Sequence, residues 1–204
     1  TGTLTIPDSI KTIGPRAFQY CSNLTGDLTI PDSVTGEIGE WTFDGCGFTG
    51  TLSIGDGITS IGDYAFSGCK KATVLVLGNG IKSIGTSAFE YCSALSGDLK
   101  IAEGVLEIGM KAFKDCSGLT GALVLPDTVT GEISTEAFRG CGFSSITIGD
   151  GVTSIGQRAF QNCTGATSLT LGNSVVRIDE TAFNGCTNFA GDLVIPDSMT
   201  RTLG

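Results

Sequence analysis

Phenylalanine recurs along this chain at nearly even spacing, as Phe18, Phe43, Phe66, Phe89, Phe113, Phe138, Phe160 and Phe183. A cysteine stands three residues after each: Cys21, Cys46, Cys69, Cys92, Cys116, Cys141, Cys163 and Cys186. An isoleucine stands five residues before each, from Ile13 to Ile178. Upstream lies an alternating aliphatic pair, as in Leu4 with Ile6 or Ile146 with Ile148. Recurrence at fixed offsets is the signature of a stacked repeat, in which one supersecondary unit buries its apolar face only against its neighbours.

One unit reads L-T-I-P-D-S-V-T-x-I-G-x-x-A-F-x-x-C-S-x-L-T-G. Leu-Thr-Ile is a short strand whose aliphatics share one face. Pro-Asp-Ser or Gly-Asp-Gly turns the chain, and Thr-x-Ile-Gly is a second extended piece. The x-x-Ala-Phe-x-x-Cys stretch is expected to form one helical or 3₁₀ turn, with Ala, Phe and Cys inward. The fold class read from this is an α/β solenoid. It is a right-handed superhelix of short parallel strands with 3₁₀ or helical turns, one repeat for each of the eight Phe positions. Length varies at turns: Gly36 and Gly131 are extra residues, and a Thr-Gly pair is missing before Leu75 and Leu169.

The repeat resembles the BspA-like, or treponemal-type, leucine-rich repeats over essentially the whole chain, from Leu4 to Leu203. The resemblance implies a single solenoid domain spanning 1–204. It also implies a cell-surface or secreted protein, serving adhesion or protein–protein interaction. The expected partner is a protein or glycan on another cell or in the matrix. The other function this pattern allows is a structural spacer or filament subunit whose copies stack end to end. Neither end carries a polar cap, and the last rung supplies Leu193, Ile195, Met199 and Leu203 before stopping. The chain is therefore expected to be an excerpt of a longer protein with open ends.

Composition narrows the chemistry. The chain has no histidine, which removes Ser-His-Asp and Cys-His catalysis and histidine metal sites. No nucleophile–base pair is recognisable, so the expectation is a non-enzyme without cofactor or metal. A net charge of −9 argues against nucleic acid and anionic lipid. No apolar run approaches the roughly 20 residues of a membrane-spanning helix.

The eight cysteines are even in number but share the Phe period, so they read as a buried column of free thiols and not as a disulfide framework. Asp8, Asp32, Asp56, Asn79, Glu103, Asp127, Asp150, Asn173 and Asp197 form a second column. Stacked acids could chelate calcium. The Asn members favour local Asx turns, with the side chain accepting a backbone N–H two residues on. The outward strand positions Thr5, Thr29, Ser53, Val76, Lys100, Val124, Thr147, Thr170 and Val194 are broken by Lys and Val, which β-propensity explains better than ice binding. Asn23 and Asn162 open Asn-x-Thr sequons.

One surface feature stands out. The positions two before and two after Phe would share a face of a helical turn. In the first four rungs they supply Arg16, Tyr20, Trp41, Tyr64 and Tyr91, which include every Trp and Tyr of the chain. The later rungs supply Lys111, Asp115, Glu136, Arg158, Asn162 and Thr181 instead. Tyr, Trp and Arg are the usual anchors of binding hot spots, so the first set is the candidate ligand site.

Overall fold

The computed structural model describes residues 2–190 and 193–199; Leu203 lies outside them. Each repeat is one rung of a stack, numbered 1 to 8 from the rung of Phe18 to that of Phe183. In rungs 2 to 8 the first strand gives β1 (Leu28–Ile30), β3 (Thr51–Ile54), β5 (Val74–Val76), β7 (Leu99–Lys100), β9 (Ala122–Leu125), β11 (Ser145–Ile148) and β13 (Ser168–Thr170). The second gives β2 (Gly36–Ile38), β4 (Ile58–Ile61), β6 (Ser83–Ile84), β8 (Glu107–Ile108), β10 (Gly131–Ile133), β12 (Val152–Ile155) and β14 (Arg177–Ile178). All pairings are parallel and join corresponding strands of successive rungs. Leu28 faces Leu52 and Ile30 faces Ile54, for example, and Ile61 faces Ile84. The first strands form sheets β1-β3-β5 and β13-β11-β9-β7, the second β2-β4-β6-β8 and β10-β12-β14.

The alternation of the sequence sets the inside. Leu28, Ile30, Leu52, Ile54, Leu123 and Leu125 are buried, while Thr29 and Val124 between them are exposed. The Phe column is a continuous ladder of stacked rings from Phe18 to Phe183. Neighbouring centroids lie 5.2–5.6 Å apart, with interplanar angles of 1–15°. Phe43 through Phe160 are wholly buried; Phe18 and Phe183, on the outermost rungs, are partly buried. A second aromatic position escaped the sequence reading. Phe48, Phe143 and Phe189 pack edge-on to Phe43, Phe138 and Phe183 at 6.0–6.1 Å. They fill the place that Leu24, Leu95 and Leu119 hold on other rungs.

The expected helical turn is not formed: among the described residues there is no α-helix or 3₁₀ segment. Backbone hydrogen bonds give the reason. In rung 1, Ala17, Gln19 and Cys21 donate back to Gly14, Arg16 and Phe18, as a tight turn would. The alternate donors Arg16, Phe18 and Tyr20 instead reach the carbonyls of Glu40, Thr42 and Asp44 on the next rung, at 2.7–3.0 Å. The same alternation runs up the stack, for instance from Tyr64, Phe66 and Gly68 to Thr86, Ala88 and Glu90. Half of the turn's N–H groups thus build a third ladder between rungs, which a helix would have consumed internally.

The extra glycines are not simple loop insertions. Gly36 and Gly131 adopt φ of 88° and 77° and start β2 and β10, where the register to β4 and β12 shifts. They are bulges, which need a residue tolerant of positive φ.

Candidate functional site

The third ladder requires a left-handed residue at each shoulder of the turn. The residue two before Phe has positive φ on every rung: Arg16, Trp41, Tyr64, Ser87, Lys111, Glu136, Arg158 and Thr181. So does the residue two after Phe, where the chain uses Gly45, Gly68, Gly140 and Gly185 as well as Tyr20, Tyr91, Asp115 and Asn162. Every non-glycine residue with positive φ among the described residues is in one of these two columns. The helix face expected to unite Arg16, Tyr20, Trp41, Tyr64 and Tyr91 is not formed: Arg16, Trp41 and Tyr64 stand at one shoulder of the turn, and Tyr20 and Tyr91 at the other. For an L-residue the left-handed conformation costs roughly 1–2 kcal/mol, and Gly escapes that cost. Bulky side chains there are outliers.

Trp41 and Tyr64 lie on adjacent rungs with ring centroids 4.0 Å apart and planes at 6°. Each covers one face of the other. The ring of Tyr20 lies over Gly45 of the next rung: a side chain begun at Gly45 would meet Tyr20 Cδ1 at 2.8 Å. Tyr20 is nevertheless 68% exposed. Gly68 follows in the same column with no atom nearer than 3.7 Å to where its Cβ would be. Tyr91 comes next, 45% exposed, with Lys114 Nζ over its ring at 5.7 Å from the centroid. The shoulder of rungs 1 to 4 thus reads Tyr, Gly, Gly, Tyr beside a Trp–Tyr stack. Arg16 pairs with Glu40 at 3.2 Å at its start.

The same edge becomes ionic on rungs 4 to 7. Lys114 Nζ lies 3.2 Å from both Glu90 Oε1 and Glu136 Oε2, and all three residues are buried. Arg139 and Arg158 add contacts to Glu136 at 3.4 and 3.6 Å. Burial disfavours the Lys114 ammonium, but hydrogen bonds and the charges of Glu90 and Glu136 outweigh it and raise its pKa. Burial likewise opposes the Glu136 carboxylate, and the bond from Lys114 with the surrounding cations lowers its pKa nonetheless. The cluster holds Lys114 against the ring of Tyr91. Sequence reasoning placed Glu136 on the edge but missed Glu90 and Lys114, one residue after Phe on adjacent rungs.

The cysteines form a column of donors. Cys46, Cys69, Cys92, Cys116, Cys141, Cys163 and Cys186 each direct Sγ to the carbonyl of the preceding rung's Phe, at 3.1–3.3 Å. None is in a disulfide; Cys21 and Cys186 are partly buried and the other six are buried. Burial pushes the Cys46 thiol up to about 12 and raises Cys69, Cys92 and Cys116 well above their ordinary value.

The acidic column is also structural, though not through local turns. Asp32 and Asp56 accept the N–H of Asp56 and Asn79, their successors one rung on, at 2.8 and 2.7 Å. Asp127 and Asp150 serve Asp150 and Asn173 in the same way. Beside the second strands runs a groove of about 840 Å³ with Glu37, Glu40, Asp63, Glu107 and Glu132 among its lining. Three of these carboxylates are engaged: Glu40 with Arg16, Glu132 with Arg177, and Asp63 with the N–H of Thr86. Among the described residues no group of three His, Cys, Asp or Glu is placed to hold a metal ion.

Parallel strands, inward aliphatic columns and one rung for each Phe-x-x-Cys repeat define a leucine-rich-repeat solenoid. A leucine-rich repeat protein of T. pallidum has a similar structure: TM-score 0.72 and 27% identity, covering 80% of this chain and 78% of that one. The family model of the BspA type leucine rich repeat region matches six copies over residues 2–120 and 121–202. The chain belongs to that family. Weaker likenesses are to a leucine-rich repeat protein of Bacteroides ovatus and a leucine-rich cell-surface protein of Faecalibacterium prausnitzii. The first has a TM-score of 0.44 and 22% identity, over 92% of this chain and 65% of that one. The second has 0.39 and 21%, over 98% and 76%. No curated protein matches the sequence. No helix among the described residues is long and apolar enough to cross a membrane.

Proposed function

We propose that this chain is a non-catalytic interaction module of a cell-surface or secreted protein. It binds a protein or glycan of another cell or of the matrix along the turn edge of rungs 1 to 4. Arg16, Tyr20, Trp41, Tyr64 and Tyr91 are the contact residues. The observation that carries this reading is where the aromatics stand. The chain has one Trp and three Tyr, and all four occupy left-handed positions. At the equivalent places elsewhere the scaffold takes Gly, Ser, Thr, Asn, Asp, Glu, Lys or Arg, so its geometry does not call for aromatics. The left-handed backbone is common to every rung, so it is the confinement of the aromatics to rungs 1 to 4, two of them exposed, that supports a binding role.

The test is retention on a panel of immobilised polymers (collagen, laminin, mucin, cellulose and chitin). Wild type is compared with the double variant Trp41→Ala, Tyr64→Ala, checked for an unchanged far-ultraviolet spectrum. Retention of wild type and loss by the variant are expected. Equal retention of both would remove the edge from binding. A second reading, end-to-end self-association, draws on Leu193, Val194 and Ile195, which are exposed among the last described residues. Particle size that grows with concentration would favour it.

A further inference from the structure

We infer that the ligand of this edge is an extended β-1,4-linked polysaccharide chain lying along the stack; the inference rests on the edge being the binding surface. The first support is the form of the aromatic surface. Trp41 and Tyr64 spend a face on each other, so the platforms left open belong to Tyr20 and Tyr91, the two most exposed aromatics. They stand at the ends of one column, with Gly45 and Gly68 between them. The glycines leave a floor without side chains. Tyr20 covers the first, and at Gly68 a Cβ would meet only the Gly45 backbone, at 3.7 Å, and Asp44 Oδ1, at 4.0 Å. Lys114, from rung 5, lies over one face of the Tyr91 ring, and the opposite face is the one a ligand would take.

The two exposed rings, Tyr20 and Tyr91, stand three rungs apart in one column, a linear arrangement along the stack. It matches a linear polymer. The apolar C–H face of a pyranose ring stacks on the electron-rich face of a phenol or indole ring. The second support is spacing. The buried Phe ladder beneath the turn repeats every 5.2–5.3 Å per rung from Phe18 to Phe89. One sugar in an extended β-1,4 chain advances by about the same length, so successive sugars keep register with successive rungs. An α-1,4 chain coils and loses that register. The third support is polar. Gln19 bonds Asp44 at 3.2 Å and Arg16 bonds Glu40 at 3.2 Å beside the rings. Such pairs present donors and acceptors together, as vicinal hydroxyls require.

Trp41 is the chain's one tryptophan, so its fluorescence reports on this site alone. The experiment titrates the whole chain with cellohexaose, chitohexaose and, as the coiled control, maltohexaose. A saturable change in Trp41 emission is expected with a β-1,4 hexasaccharide, and binding of maltohexaose weaker by about tenfold or more. Tyr20→Ala and Tyr91→Ala should each weaken binding by about tenfold. Gly68→Asn, which fills the notch with a residue tolerant of positive φ, should do the same, while Gly140→Asn on rung 6 leaves affinity unchanged. No saturable response to either β-1,4 hexasaccharide at millimolar concentration overturns the inference, as does equal affinity for maltohexaose. If the hexasaccharides fail while the Trp41→Ala, Tyr64→Ala variant still loses retention on collagen, laminin or mucin, the glycan class falls and the edge stands. If that variant keeps its retention, the edge itself falls.

Discussion

Trp41 and Tyr64, one repeat apart in sequence, stack face to face with centroids 4.0 Å apart and both backbones left-handed. The pair is held by the ladder beneath it, since Trp41 N–H bonds the Asp63 carbonyl and Tyr64 N–H bonds that of Thr86. A double-mutant cycle on stability, with each ring replaced by Ala, should give a coupling of about 0.5–1.5 kcal/mol. Additive single effects would mean that the stack is not populated in solution.

The left-handed shoulders make a second expectation. Ser87 has φ of 52°, is wholly buried, and its Oγ has no hydrogen-bond partner. Ser87→Gly relieves both the backbone and the hydroxyl, so it should stabilise by about 1 kcal/mol after the added unfolded-state entropy is counted. Ser87→Ala relieves only the hydroxyl and should gain less. Denaturant midpoints of the three proteins give the order directly, and loss of stability in the Gly variant would contradict the assigned backbone.

Phe89 is wholly buried between Phe66 and Phe113, 5.2 Å from each. Replacing it with Ala opens a cavity in the ring ladder and should cost about 3–5 kcal/mol. Chemical denaturation measures it. A cost below about 1 kcal/mol would show that the rungs collapse around the gap.

The thiol column implies redox indifference. Reaction with a thiol reagent in the native protein should be confined at first to Cys21 and Cys186, the two partly buried cysteines. The central thiols are both covered and raised in pKa by burial, so little reactive thiolate exists there. A reductant should leave the melting temperature unchanged. Fast modification of Cys92 without denaturant would contradict the burial.

The ion cluster sets a pH window. Glu136 has a lowered pKa, so its contribution is full above the ordinary Glu value of about 4.3 and is lost as pH falls through its folded value. Lys114 has a raised pKa, so its contribution is full below about 10.4 and is lost as pH rises through its folded value. Glu136→Gln should destabilise by about 3 kcal/mol at neutral pH, because Lys114 is then left underpaired in a buried site. It should also flatten the acid limb of the stability curve. An acid limb identical to that of wild type would place the transition elsewhere.

The columns that point inward were legible from sequence because each rung repeats the same residue, Phe at 18 to 183 and Cys at 21 to 186. What lay beyond reading was the bonding between rungs. Nothing in Arg16, Trp41 or Glu136 announces a left-handed backbone, since these residues disfavour it; only the Gly and Asn members of the columns gave a hint. Asp32 was expected to bond within its own turn and instead serves Asp56 on the next rung, a partner that local sequence rules do not see. Glu90, Lys114 and Glu136 meet for the same reason. Phe48 and Phe143 had a signal, a Cys-Gly-Phe triplet recurring on rungs 2 and 6, but they stand one residue out of step with the Leu they replace.

The edge of rungs 1 to 4 can be tested without any substitution, by amide hydrogen exchange with and without the panel polymer that the protein retains best, in soluble form. Exchange should slow in residues 14–22, 39–46, 62–69 and 85–92, the turns that carry Tyr20, Trp41, Tyr64 and Tyr91. Slowing confined to the strands that carry Thr29, Ser53 and Val76, with those turns unchanged, would contradict the account.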